Sequence, residues 1–230
     1  MGIKERQVRD REAVQRAILD AARDLFVREG YEHVSIRKIA ERIEYSPAAI
    51  YGYFPSKDDI FFALAEEGFR LLSFVPPDSE ARYRAMPPVD RVRAGFWHLY
   101  EFSREHPQYF ALIFLDRSVP RINREHARFA FMQAGRQQLL ETVQRCIDEG
   151  IFPAGVTAMS AFRLLQVGIL GVAVMRLSGR LGAGDDADLL ASDALDVVIA
   201  GLKSGVVIKS QVGLLCPEVE ESTASSTVAS

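Results

Sequence analysis

Residues 45–57 read YSPAAIYGYFPSK, with Ser46-Pro47 opening the stretch and Pro55-Ser56 closing it. The segment between, Ala48–Phe54, is too short to be a stable helix on its own. It carries two tyrosines, Tyr51 and Tyr53, and almost no other polar side chain. Ser46 before Pro47 is an N-cap/N1 pair, in which proline gives up an N–H that would have no helical partner anyway. Working outward, the same signal recurs on both sides. Ser35 precedes IRKIAERI, where Ile36, Ile39, Ala40 and Ile43 share a face at helical spacing. Ser56 opens SKDDIFFALAEEGFRLL, and Ser56 with Asp59 forms a capping-box pattern. Three serines therefore start three successive helices. The first two, joined by a tight turn, have the layout of a helix-turn-helix, whose second helix enters the major groove of DNA. Such a helix is short because only its first turns need to reach base edges, and packing of Ile50 and Phe54 suffices to hold it.

Upstream, Glu12–Glu29 is amphipathic, with Val14, Ile18, Ala21 and Leu25 on one face and Gly30 as its stop. Downstream, Val75–Pro88 breaks the helical pattern with Pro76, Pro77, Pro87 and Pro88 and is expected to hold the domain boundary. Helical spacing resumes over Val89–Glu105, Tyr109–Asp116, Ile122–Glu149, Ala158–Ser178 and Ala187–Lys203. The reading is all-α. A flexible basic arm is expected over 1–11, the DNA-reading unit over 12–55, and a connecting helix over 56–75. A larger helical domain follows over 76–204, and a tail over 205–230 that is disordered after 217. Val206–Leu215 reads equally as a strand-like tail or a short docking segment.

The chain has 230 residues and a formal net charge of −3, so a nucleic-acid surface has to be local. Cys146 and Cys216 lie far apart without metal-site spacing, which suits a reducing compartment. The N-terminus has no apolar leader segment. The longest apolar run, Leu164–Met175, is interrupted by Gln166 and reads as a buried helix too short to span a bilayer. A cytoplasmic protein without membrane contact is expected.

The stretch SIRKIAERIEYSPAAIYGYFPSKDDIF resembles the DNA-binding region of the TetR family of transcriptional regulators, over about Ala13 to Leu64. The resemblance implies a homodimeric regulator, a repressor in the first instance, on a near-palindromic double-stranded operator. It implies that Ser35 and Ser46 hold phosphates at helix N-termini and that Arg37 reaches guanine or phosphate. It also implies that Tyr51, Tyr53 and Lys57 grip the DNA backbone, with Pro47, Ala48 and Ala49 facing the groove. Arg6, Arg9 and Arg11 would form the arm. Two residues depart from the family pattern. Glu44 stands where a turn glycine is usual, and Tyr45 replaces a smaller apolar residue. A positive φ at Glu44 would cost about 1 kcal/mol.

The larger domain resembles the family's ligand-binding and dimerisation region in layout only. Phe96, Trp97, Tyr100, Phe110, Phe114, Phe129 and Met132 supply either core or the walls of a cavity for a small hydrophobic effector. Arg136 lies on an otherwise apolar face, where it either snorkels to solvent or meets a ligand carboxylate. Gly168, Gly171, Met175, Leu195, Val198 and Leu202 are candidates for the dimer contact, the alternative being internal core. His98, Glu101, Glu105, His106, Glu125 and His126 show no HExxH or nucleophile pattern. No enzyme activity, cofactor or metal is expected. The rival readings are a helical enzyme or carrier with an incidental helix-turn-helix, and a protein-binding adaptor.

Overall fold

A computed structural model describes residues 2–72, 80–120 and 130–210. Every regular element among them is helical, in agreement with the all-α expectation. The first helix, α1 (Ile3–Glu29), begins well before Glu12. The stretch expected as an arm, 1–11, is therefore largely its opening turns. The reason is local: Lys, Glu, Arg and Gln are good helix formers, and no glycine or proline interrupts 3–29. A single 3-10 turn, Tyr31–His33, leads to α2 (Ile36–Arg42), then α3 (Pro47–Tyr51) and α4 (Lys57–Leu71). α3 is shorter than the stretch Ala48–Phe54 suggested, because Gly52 ends it.

The three serine caps form as expected. The hydroxyl oxygens of Ser35, Ser46 and Ser56 accept from the N–H groups of Lys38, Ala49 and Asp59 at 3.2, 3.2 and 3.1 Å. Ser56 also donates to the Asp59 carboxylate at 2.7 Å. Each cap contributes about 1 kcal/mol, a large share of what so short a helix can gather locally. The rest comes from burial: Ile39, Ala40, Ile50 and Phe54 join Ile18, Ala22 and Phe26 of α1 in one core.

A short helix not foreseen from sequence, α5 (Glu80–Ala85), sits between the proline pairs, with Tyr83 turned inward. The larger domain then comprises α6 (Pro88–Glu105), α7 (Pro107–Phe114), α8 (Ala130–Asp148), α9 (Ala158–Leu177) and α10 (Ala187–Ser204). α9 lies against α6, α8 and α10. The expected tail beyond 210, the side chain of Met132, and Phe129 with the expected helical stretch before Ala130 lie outside the described residues.

α7 joins the two parts, since both α1 and α4 pack on it. Gly68 of α4 makes that approach possible. A Cβ there would fall 2.6 Å from Ile113 Cδ1 and 3.0 Å from Tyr109 Cδ1. Polar links flank the contact: Arg16 to Glu67 at 2.7 Å, Arg23 to the Tyr109 hydroxyl at 3.4 Å, and Gln108 to Asp24 at 3.2 Å.

Candidate nucleic-acid interface

The turn between α2 and α3 closes with paired backbone bonds. Tyr45 N–H donates to Ala40 C=O at 2.9 Å, and Glu44 N–H to Glu41 C=O at 3.3 Å. This is a Schellman closure, which requires a left-handed residue at its apex. Glu44 occupies that position with φ +58°, so the strain foreseen for it is present. The turn sets α3 so that Ile50 and Phe54 are buried while Tyr45, Ser46, Pro47, Ala48 and Tyr51 are exposed. Ala49 is half-buried at the edge. The exposed set is one short ridge of small and aromatic groups without a charged side chain.

Arg37 stands beside this ridge with its side chain 81 % exposed, its Nε 3.0 Å from Glu41 Oε1. Exposed pairs of this kind contribute about 0–1 kcal/mol, so a phosphate or a guanine edge can take Arg37 from Glu41 at little cost. The Ser35 and Ser46 hydroxyls use their oxygens as caps and keep their hydrogens available to donate.

Arg11 was expected in a mobile arm. It projects instead from α1 across the end of α3, donating to Gly52 C=O at 3.3 Å with its guanidinium 5.0 Å from the Tyr53 ring centre. Tyr53 is accordingly half-buried beneath it. Arg6 and Arg9 remain exposed on the first turns of α1.

Lys57 also has a partner inside the fold. Its ammonium donates to Tyr31 C=O at 2.9 Å and sits over the Tyr31 ring. Sequence reasoning passed over Tyr31, which proves central. Its ring meets Phe26 and Phe61 at 5.1 and 5.7 Å, its phenol donates to Asp58, and its N–H donates to Asp116 Oδ2 at 3.0 Å. Burial, then the Asp58 contact, pushes its ionisation well up. Asp116 behaves oppositely. Burial alone would raise its pKa, but hydrogen bonds from the Ser118 hydroxyl and N–H and from Tyr31 N–H outweigh that, and the net shift is downward. The only sequence signal for Tyr31 was an aromatic placed directly after the Gly30 stop.

In the larger domain, Phe96, Tyr100 and Phe110 are at most 1 % exposed and sit in the core, with Trp97 and Phe114 packed at its edge. The rings meet one another: Phe96 with Phe162 at 5.2 Å, Phe110 with Phe114 at 5.0 Å, Trp97 with Tyr100 at 5.3 Å. The Tyr100 phenol donates to Asp188 at 2.7 Å, and burial followed by that bond holds its pKa up to about 12. Trp97 donates to Glu101 at 3.0 Å. Arg136 is half-buried, 5.6 Å from the Phe162 ring centre and 3.5 Å from Met159 Sδ.

Two candidate dimer residues are reassigned. Leu195 and Leu202 are 0 and 3 % exposed within a single chain, because they face α9 and the core. Val198 packs there too, and a Cβ on Gly168 would meet Ala194 and Val198 of α10 in ordinary contact. Gly171 and Met175 are exposed, as are Leu164 and Val167 at helical spacing on α9 and, on α10, Val197. α9 is also longer than the apolar run read from sequence. By length and composition it is sufficient to cross a membrane, yet only 39 % of its most apolar stretch is buried inside the chain.

These features define a helix-turn-helix unit set on an all-helical body. Comparison with known proteins agrees. The model described as "Bacterial regulatory proteins, tetR family" matches residues 18–64, and that of a "Tetracyclin repressor-like, C-terminal domain" matches residues 92–198. The chain belongs to the TetR family of bacterial regulators. It is 44 % identical over 55 residues to the HTH-type transcriptional repressor Rv1474c of Mycobacterium tuberculosis, covering 24 % of this chain and 29 % of that one. It is 28 % identical over 97 residues to the HTH-type transcriptional regulator TcmR of Streptomyces glaucescens, covering 41 % of this chain and 42 % of that one. The chain thus matches less than half the length of either relative. Its fold resembles the crystal structure of the TetR family regulator PfmR from Thermus thermophilus, with TM-score 0.62 and 21 % identity, over 83 % of this chain and 99 % of that one.

Proposed function

We propose that the protein is a ligand-responsive transcriptional repressor of the cytoplasm that binds a palindromic double-stranded operator as a homodimer and is released by a small effector. The observation that carries this reading is the exposed ridge Ser46–Tyr51, held by two serine caps and a Schellman turn beside a weakly paired Arg37. Pro47 and Ala48 offer apolar contact to thymine methyls, and Arg37 is the one nearby group in the candidate set able to make a bidentate contact to guanine. Ser35, Ser46, Tyr51, Tyr53 and Lys57 are assigned to the phosphate backbone. With few bidentate side chains, much of the sequence preference comes from DNA shape.

Homodimerisation is supported by the exposed apolar residues Leu164, Val167, Gly171 and Met175 of α9 and Val197 of α10, which the single chain leaves uncovered. A two-fold dimer presents two reading heads to a two-fold site. The effector acts through the larger domain, where the candidate aromatic residues Phe96, Tyr100 and Phe110 pack as core and Trp97 and Phe114 lie at its edge. Its signal reaches α3 through α7, because α1 and α4 both rest on that helix. Coupling is reciprocal, so operator weakens effector binding by the same factor. Selection of bound duplexes from fragmented genomic DNA tests the reading: enrichment of an inverted repeat supports it, and recovery of random fragments overturns it.

A further inference from the structure

We propose that the groove between α5, α6 and α8 is a binding site for a small, multiply charged anion, gripped by Arg91 and Arg145. A cavity of about 330 Å³ opens there, lined by Tyr83, Arg84, Arg91, Gln138, Glu141, Thr142 and Arg145. Three guanidinium groups thus face one carboxylate. The two hydroxyls donate inward: Tyr83 to Arg91 C=O at 3.1 Å, and Thr142 to Gln138 C=O at 2.9 Å. The charged donors the proposal uses are the guanidinium forks of Arg91 and Arg145. Arg91 Nε is buried and has no hydrogen-bond partner. Among the described residues, neither Arg91 nor Arg145 has a carboxylate within ion-pair distance. Glu141, the single acid on the wall, accepts from Gln137 at 3.1 Å.

Arg91 Nε is closed off from solvent, so an anion in the groove is held by the terminal nitrogens of the Arg91 and Arg145 forks. Arginine forks match the paired oxygens of carboxylate and phosphate, and two cations across one groove favour a ligand with at least two negative charges. The cavity lies at the Pro88 end of α6, and the other end of that helix leads directly into α7. On the function proposed above, the anion is an effector, or the charged part of one. Its binding as such does not depend on that function.

The test is calorimetric titration of the full chain, without DNA, with citrate and with inorganic pyrophosphate at fixed ionic strength. Saturable binding of one probe per protomer is expected, and the tighter probe identifies carboxylate or phosphate as the preferred group. Arg91→Gln and Arg145→Gln should each weaken binding roughly ten- to hundredfold, the scale of one charged hydrogen bond. Glu141→Gln should tighten it. Arg180→Gln, an equal change of charge on an exposed loop outside the cavity, should leave it unchanged. Arg145 is exposed, so its variant keeps the test valid if Arg91→Gln fails to fold. Absence of binding by either probe, or equal weakening by Arg180→Gln, overturns the proposal. Anion binding by a protein that ignores its operator would leave this site standing and defeat the repressor reading; operator binding without anion binding would do the reverse.

Discussion

The Lys57 ammonium stands 4.0 Å from the centre of the Tyr31 ring and donates to the Tyr31 carbonyl at 2.9 Å. The N-terminus of α4 is thereby fastened to the junction between α1 and α2, where Asp116 from beyond α7 also arrives. A residue assigned to phosphate contact therefore also carries structure. Lys57→Met should destabilise the fold by about 1–2 kcal/mol, the sum of a cation–π contact and a hydrogen bond. It should also lower affinity for all duplexes alike. Chemical denaturation and binding to two unrelated duplexes check both; unchanged stability would remove the structural role.

Glu44 holds a left-handed conformation at a cost of about 1–2 kcal/mol, part of which a more flexible glycine would return as chain entropy. Glu44→Gly should therefore stabilise the protein by about 0.5–1 kcal/mol. Glu44→Ala keeps the strain and should give no comparable gain. If both variants melt alike, the turn is not strained at this residue.

Asp116 links the larger domain to Tyr31, and its native pKa lies below the ordinary value of 3.8. A depressed carboxylate contributes stability that is fully present above the unfolded value and lost as pH falls through the lower native value. Asp116→Asn should lower stability at neutral pH by about 1–2 kcal/mol. The gap between wild type and variant should close only below pH 3.8. A gap that persists undiminished in acid would show that the carboxylate's charge is not what matters.

The start points of the early helices were legible because each begins with a side chain that must satisfy a backbone N–H: Ser35, Ser46 and Ser56 can be read locally. The strain at Glu44 was legible only through the family resemblance, which puts a glycine at that turn position. The role of Tyr31 was not, since its partners Lys57, Asp58 and Asp116 come from distant parts of the chain. Arg11 escaped because a charged segment without glycine or proline reads as arm or helix alike. In α9 and α10 apolar residues lie on several faces, so periodicity did not separate Leu195 and Leu202, which turn inward, from Val197, which turns out. The aromatic set had the same ambiguity between wall and core.

Val167 and Val197 are 68 and 70 % exposed in the single chain, so an aspartate at either should not harm the protomer's fold. In a dimer through this face it would be buried and unpaired, at a cost of several kcal/mol. Val167→Asp and Val197→Asp should each sediment as folded monomers at concentrations where the wild type is dimeric. Dimers from both variants would move the interface elsewhere.

The most direct test of the account is the salt dependence of operator binding, measured with the wild type and with Ala48→Glu. With roughly six to ten phosphates neutralised per dimer, log K should fall against log salt with a slope of about −5 to −9. Ala48→Glu adds a negative charge on an exposed position that is free of core contacts, so the fold should survive while specific binding is lost. Salt-independent binding, or an Ala48→Glu variant that binds the operator as tightly as the wild type, would contradict the claim that the Ser46–Tyr51 ridge reads DNA.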